Sequence, residues 1–420
     1  MAIDKEKLKN VIENMEEIIK KIEGSTPTLG HRFIREKVID PLLNDLKDLA
    51  YNSRPPVFML MGRSGHGKSS LINAITGKNT AFVSDIEPGS IGSESYFVDF
   101  PGKYSAMEFV DTRGVFETTA PVGAEAISPL ELLKEEIIKK KPDILIHVIN
   151  AKEIRTLEND LLVFKDLNKQ VVKKIGYSIP VVIVLTHIDL LGKRSEWPIE
   201  DHPAKAGKVK EALDYMSKKV LNIESVTPID SNSLIKGYRL KDEAYIAIVP
   251  VCAEEGENWN IDTLSALFGQ ELPDEALLDF TQGRGNLADL RRFSSKIINT
   301  FSGAASMIGA TPIPVSDIAI LVPLQILLIT IIAGLAGREA KSDNAMEFLA
   351  AMGIDVGVGY GLKLGAQQLI KLIPIPFAVN ALSGSLAATG TYGIGKSAEY
   401  YFFDNQLRKP NSFKYNPQEK

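Results

Sequence analysis

The chain has 420 residues, enough for two or three domains, and at 45% hydrophobic and 24% charged it can bury a sizeable core. A net charge of −5 argues against a general nucleic-acid binder. The single cysteine, Cys252, excludes an intramolecular disulfide and a cysteine metal cluster, which favours the cytosolic side, and the N-terminus MAIDKEKLKN lacks the apolar run of a signal peptide.

Residues 1–54 read as helical. Leu8, Val11, Ile12, Met15, Ile18, Ile19 and Ile22 recur at intervals of three and four with Lys and Glu between them, the pattern of an amphipathic helix. Gly24, Ser25 and Pro27 end it, and a second helical stretch covers roughly His31 to Tyr51, where Pro41 allows an interruption or a kink. Both apolar stripes need a surface to cover them.

Val57 to Met61 is a short apolar run that fits a buried strand, and Ser70 to Ile75 reads as the start of a helix. Between them lies GRSGHGKSS, in which Gly62, Gly67, Lys68 and Ser69 fit the phosphate-loop pattern G-x-x-x-x-G-K-[ST]. Glycines let the backbone N–H groups turn inward around phosphate oxygens, and the following helix adds its free N-terminal amides. The whole turn, Gly62, Arg63, Ser64, Gly65, His66, Gly67, Lys68, Ser69 and Ser70, is therefore a candidate nucleotide cradle. Lys68 is expected on the β- and γ-phosphates and the Ser69 hydroxyl on Mg²⁺.

Thr80 to Ser95 is polar and fits a mobile switch over the nucleotide. Tyr96 to Phe100 and Ala106 to Val110 read as antiparallel strands, the second delivering Asp111-Thr-Arg-Gly114. Asp111 can hold a Mg²⁺-bound water, and Gly114 can offer its N–H to the γ-phosphate. Further strands at Asp143–Ile149 and Pro180–Leu185, alternating with helices at Leu130–Lys141 and Glu158–Lys174, predict a mostly parallel sheet covered on both faces. The latter strand ends in Thr186-His187-Ile188-Asp189, where the Asp189 carboxylate can accept two hydrogen bonds from guanine, a pattern adenine does not present. A last strand, Ala244 to Val251, leads into Cys252-Ala253, which can close over the guanine carbonyl with a backbone N–H.

The four elements GRSGHGKS, DTRG, THID and CA resemble the ordered motifs of small guanine-nucleotide-binding proteins, with the Era, septin and immunity-related GTPase group the nearest in general look. The resemblance covers residues 55–268. It implies an α/β P-loop GTPase domain that binds GTP or GDP with Mg²⁺ and hydrolyses GTP. It also makes Lys68, Ser69 and Gly114 catalytic and Asp189 the guanine-selecting residue, beside the base contacts Thr186, His187, Cys252 and Ala253; Arg63 and Arg113, close by in sequence, are further catalytic candidates that could act in cis or across a dimer. Three departures matter. His187 stands where the family has a lysine, Val115 stands where several members position a water with Gln, and the switch offers Ser90, Ser93 or Ser95 rather than Thr to Mg²⁺, with Ser90 preferred. Turnover is accordingly expected to be slow or assisted.

Residues 269–420 are expected to form a hydrophobic helical domain. Positions 318–337 and 372–395 hold 20 and 24 consecutive uncharged residues, long enough for a membrane span. Asp317, Pro323, Gln325 and Asn380 instead favour a water-soluble helical core. IGATPIPVSDIAILVPLQ and LAATGTYGIGKSAEYYF resemble an uncharacterised hydrophobic helical domain found with bacterial GTPase domains. The N- and C-terminal segments are expected to make one helical region. The reading is thus a GTPase switch on the cytoplasmic side, soluble, peripheral or integral at the membrane, forming a nucleotide-dependent homodimer and contacting lipid or a protein partner. The alternatives are a regulatory nucleotide-binding module with little hydrolysis and a GTPase assisting ribosome or RNA assembly, the latter opposed by the acidic balance.

Overall fold

The computed structural model describes residues 5–25, 29–77, 84–85, 93–100, 105–112, 129–156, 158–229, 234–311, 316–338, 341–353 and 384–416. The chain divides into two compact units: Met1–Arg54, Phe100–Ser105 and Gly285–Lys420 form one, and Pro55–Asp99 with Ala106–Arg284 the other.

The helical unit draws on both chain ends. Its N-terminal part is α1 (Lys5–Ser25), α2 (Leu29–Ile34) and α3 (Asp40–Tyr51). Pro41 falls in the first turn of α3, where its missing N–H costs little. A π-helical turn at Arg35–Ile39 takes up the change of winding just before it, so the helix runs past the proline.

In the second unit, among the described residues, nine strands form a sheet in the order β2-β3-β4-β1-β5-β6-β9-β8-β7. They are β1 (Val57–Met61), β2 (Ser84–Asp85), β3 (Ser93–Phe100), β4 (Ser105–Thr112), β5 (Ile144–Asn150), β6 (Val181–Thr186), β7 (Val226–Pro228), β8 (Tyr238–Leu240) and β9 (Ala247–Pro250). β4, β1, β5, β6 and β9 run parallel, and β8 and β7 extend the sheet antiparallel. The central strands are apolar along their length because helices cover both faces. On one face lie α5 (Pro129–Lys140), α6 (Glu158–Ile175) and α7 (Pro203–Tyr215), whose Leu133, Phe164 and Leu213 join β5 and β6 residues in one core.

Elsewhere in that unit come α4 (Lys68–Thr76), α8 (Ile261–Glu271) and α9 (Asp274–Arg284). Phe58 of β1 stacks on Phe109 at 5.3 Å and meets Phe268 and Phe280 at 5.2 and 5.8 Å. Arg284 donates to the carbonyl of Ile75 at 2.9 Å, holding the last turn of α4. These contacts place α9 with the sheet, whereas the sequence reading drew the boundary at 268/269.

The rest of the helical unit is α10 (Leu287–Ala310), α11 (Ser316–Leu335), α12 (Ser342–Ala351) and α13 (Gly384–Asp404). α10 and α13 pack closely: a Cβ on Gly395 would lie 2.8 Å from Ile298 and 3.1 Å from Leu328. The 318–337 run gave a membrane span as one expectation. Among the described residues no helix is long and apolar enough to cross a membrane. Every residue from Ile320 to Leu335 is buried, and α11 packs against α1, α10, α12 and α13. The buried Gln325 donates to Thr391 at 3.1 Å, a polar link inside this apolar layer. Of the second uncharged run, 372–383 lies outside the described residues, and Gly384–Gly395 begins α13.

His147 of β5 sits in the sheet core beside Phe164 and Tyr245, with Nδ1 3.3 Å from the Tyr245 hydroxyl. Burial, helped by the neighbouring His66, pushes its pKa down to about 3. The unfolded chain titrates this group near 6.5, so between these values the unfolded state holds a proton that the folded state does not. Stability contributed here is full above pH ~6.5 and falls as pH drops toward 3. His147→Phe is expected to flatten that acid slope, measured by urea unfolding across a pH series. An unchanged slope would place the acid sensitivity elsewhere.

Candidate functional site

The site begins where β1 ends. β1 lies between β4 and β5, so the chain winds outward in both directions from it, and a crevice opens at the strands' C-terminal edge. Gly62 turns the chain there at φ +149°, with no room for a side chain: a Cβ would lie 2.3 Å from the Val148 carbonyl oxygen of β5. Gly65 and Gly67 also take positive φ, and α4 starts at Lys68. The first amides of α4 have no acceptor within the helix, so the turn and helix end present donors to an anion.

Lys68 curls over this turn, its Nζ donating to the carbonyls of Gly62 (2.9 Å) and Arg63 (3.2 Å), and lies 3.8 Å from Asp111 Oδ1. Asp111 is buried near the end of β4, level with Leu60 of β1. The adjacent Thr112 donates to the Leu60 carbonyl at 2.9 Å, pinning the two strand ends. Ser69 and Ser70 are exposed on the first turn of α4, and Ser64 and Gly65 are exposed on the loop. The Ser69 hydroxyl and Asp111 carboxylate are hard oxygen donors of the kind Mg²⁺ takes. Among the described residues no cluster of three His, Cys, Asp or Glu groups could hold a metal, so Mg²⁺ here would need phosphate and water oxygens as well.

Arg63 is ion-paired with Asp160 of α6 at 2.7 Å. His66 is buried, with Nδ1 3.1 Å from the Val148 carbonyl and Nε2 3.2 Å from Glu153. Both ring nitrogens thus face oxygen acceptors, which ties the loop to β5 and to the segment after it. Arg113, Gly114, Val115 and Ser90 lie outside the described residues, while Ser93 and Ser95 lie on β3.

The second half of the site follows β6. Thr186 Oγ1 donates to the His66 carbonyl at 2.7 Å and lies 3.2 Å from that of Ile149. Its proton is thus engaged, so it accepts from the His187 ring at Nδ1, 3.0 Å away. His187 adopts φ +57°, and its Cε1 lies 3.1 Å from where a Cβ on Gly67 would be, so the imidazole packs on the phosphate turn. Asp189 is buried, and the Cys252 thiol lies 3.6 Å from its Oδ1. Burial pushes the Cys252 thiol up to about 12, and the neighbouring Asp189 adds to this, so it remains an S–H donor to the carboxylate. The Cys252 amide donates to the Trp259 carbonyl at 3.2 Å.

A cavity of ≈ 280 Å³ joins the two halves. Of the residues anticipated from sequence, Gly67, Ser70, Thr186, His187, Asp189 and Ala253 line it. Leu190, Arg194 and Glu254 also line it and were missed. Arg194 Nη2 donates to both carboxylate oxygens of Glu254 at 2.9 and 3.0 Å, bridging the segments after β6 and β9. Lys205 of α7 was missed as well. It is fully buried and donates to the carbonyls of Asp189 and Lys193. No local pattern marked these residues, because their partners come from distant segments.

A glycine turn between a central parallel strand and a helix, with a lysine over it and a carboxylate at the next parallel strand, defines a P-loop nucleotide-binding fold. Residues 57–187 match the family model described as 50S ribosome-binding GTPase, fewer than half of the chain's residues. The chain is 28% identical over 200 residues to GTPase Der of Campylobacter hominis, covering 47% of this chain and 37% of that one. It is 34% identical over 140 residues to GTPase Der of Persephonella marina, covering 33% and 28%. It is 31% identical over 171 residues to the tRNA modification GTPase MnmE of Mesomycoplasma hyopneumoniae, covering 37% and 36%. The match therefore spans 28 to 37% of the length of these three relatives. Over the matched region the chain is similar to the GTPases Der and MnmE.

Thr186→Val keeps the side chain's shape and removes its hydroxyl, leaving the His66 carbonyl without that donor. A lost buried bond of this kind costs about 1–3 kcal/mol. Nucleotide affinity is expected to fall by about tenfold with the fold retained, as read by calorimetry and circular dichroism. Unchanged affinity would show that the two halves of the site are held together by other contacts.

Proposed function

We propose that the chain binds guanine nucleotides with Mg²⁺ and hydrolyses GTP slowly. The observation that carries this reading is Asp189: a buried carboxylate opening into a cavity that continues to the phosphate turn. A carboxylate accepts hydrogen bonds from the guanine ring N–H and exocyclic amine, and the adenine edge offers no such pair of donors. In this reading Lys68 takes the β- and γ-phosphates, and Ser69 and a water on Asp111 take Mg²⁺. Gly67 and Ser70 supply further phosphate contacts, and Thr186 and His187 wall the base. With the Cys252 amide directed to Trp259, the backbone contact to the guanine carbonyl falls to Ala253.

Slow turnover is supported by the Arg63–Asp160 ion pair, which occupies the nearest described arginine of the turn. Hydrolysis requires an oriented water and compensation of transition-state charge, so Arg113 and Gly114 or a second copy of the chain would have to supply them. Nucleotide state in turn governs self-association and contact of the helical unit with lipid or a protein partner at the cytoplasmic face of a membrane. A second reading, a ribosome-linked GTPase, is favoured by the family match over residues 57–187. Nucleotide-dependent co-sedimentation with 50S subunits, absent with vesicles, would select it.

Calorimetric titration with GDP, GTP, ADP and ATP tests the main reading. Guanine nucleotides are expected to bind at least tenfold tighter, roughly 1.4 kcal/mol or more. Asp189→Ala should erase the preference, and Lys68→Ala should abolish tight triphosphate binding. Equal affinity for all four nucleotides would remove the guanine assignment. A turnover number that is high and independent of protein concentration would remove assisted hydrolysis.

A further inference from the structure

Lys205 stands near the start of α7 and is 0% exposed. A buried ammonium costs several kcal/mol unless its protons are matched by acceptors, and an apolar residue would pack a helix of this kind without that cost. Its acceptors are specific. Nζ donates to the carbonyl of Asp189 and, at 2.8 Å, to that of Lys193, and it lies 5.9 Å from the centroid of the Trp197 ring. Both carbonyls belong to the segment that leaves β6 and carries the cavity residues Asp189, Leu190 and Arg194.

That segment has little regular structure of its own. It opens on His187 at φ +57°, makes a single 3₁₀ turn at Ile188–Leu190, and turns again at Gly192 with φ +75°. An ammonium with three donors can hold two carbonyls of such a segment at once, which an apolar residue cannot do. One of the two is the carbonyl of Asp189 itself, so fixing it fixes the peptide from which the carboxylate projects. A carboxylate that must accept two parallel hydrogen bonds needs its direction held within about 10–20°.

We infer that Lys205 is a positioning residue for base recognition: its buried ammonium clamps the Asp189–Lys193 segment and sets the direction of the Asp189 carboxylate. The inference rests on the guanine-binding reading above. Its signature is discrimination rather than affinity, because a misdirected carboxylate keeps one hydrogen bond and loses the second. Inosine diphosphate, which lacks the exocyclic amine, reports this directly.

The test is calorimetric titration of the parent chain and of Lys205→Met with GDP and IDP, with thermal unfolding to show that the variant is folded. The parent is expected to prefer GDP by roughly tenfold or more, the value of a hydrogen bond to a charged acceptor. Lys205→Met is expected to bring the ratio close to one. A purely structural role would weaken both ligands in proportion, and an unchanged ratio in folded Lys205→Met overturns the inference while leaving the guanine reading intact. If Lys205→Met does not fold, Lys205→Gln, which keeps a neutral donor, is judged by the same ratio. A parent that separates neither IDP nor ADP from GDP overturns the guanine reading and this inference with it.

Discussion

The hydroxyl of Thr186 donates to the carbonyl of His66, and much of the site depends on that bond. It joins the end of β6 to the phosphate turn, elements 120 residues apart in sequence. The distance between the amides of the glycine turn and Asp189 is set by it and by the register of β1, β5 and β6. Around it, a short series of contacts fixes the rest: Gly62 against Val148, His66 against Val148 and Glu153, and His187 against Gly67. A nucleotide spans such a site from end to end, so rigidity between the ends converts directly into affinity by sparing ordering entropy on binding.

The Asp189 end of the cavity is held less by the sheet than by side chains reaching in from elsewhere. Cys252 supports the Asp189 carboxylate, Lys205 holds the segment's backbone, and Arg194 meets Glu254 across the rim. The last pair is largely exposed, so as a surface ion pair it adds little to stability, but its two carboxylate contacts orient both side chains beside the cavity. Where the family resemblance expects a lysine along the base, His187 uses its ring to brace the phosphate turn. It also lines the cavity, together with Leu190 and Arg194 of the following segment.

The sheet and phosphate turn were legible in the sequence because their physics is local. A β-branched apolar run buried on both sides, a glycine turn and a lysine at fixed spacing each leave a mark within ten residues. The three-residue strands β7 and β8 left none, since so short a run carries no period. Lys205 sits in PAKAGKVKEAL and reads there as one of several solvated lysines; only the tertiary fold buries it. α11 was ambiguous for a different reason. A helix apolar on every face suits the centre of a helical unit as well as a bilayer, and composition cannot separate the two environments. The enclosing helices α1, α10, α12 and α13 decide it in favour of a protein core. Of the switch and DTRG segments, residues 80–83, 86–92 and 113–114 lie outside the described residues.

A crystal structure of the full chain with GDP and Mg²⁺ is the most direct measurement of how the two halves work together. The guanine edge is expected within hydrogen-bonding distance of both Asp189 carboxylate oxygens, with the phosphates on the amides of the Gly62–Ser69 turn and Lys68 Nζ turned toward them. A nucleotide seated away from Asp189, or phosphates bound outside that turn, would contradict it.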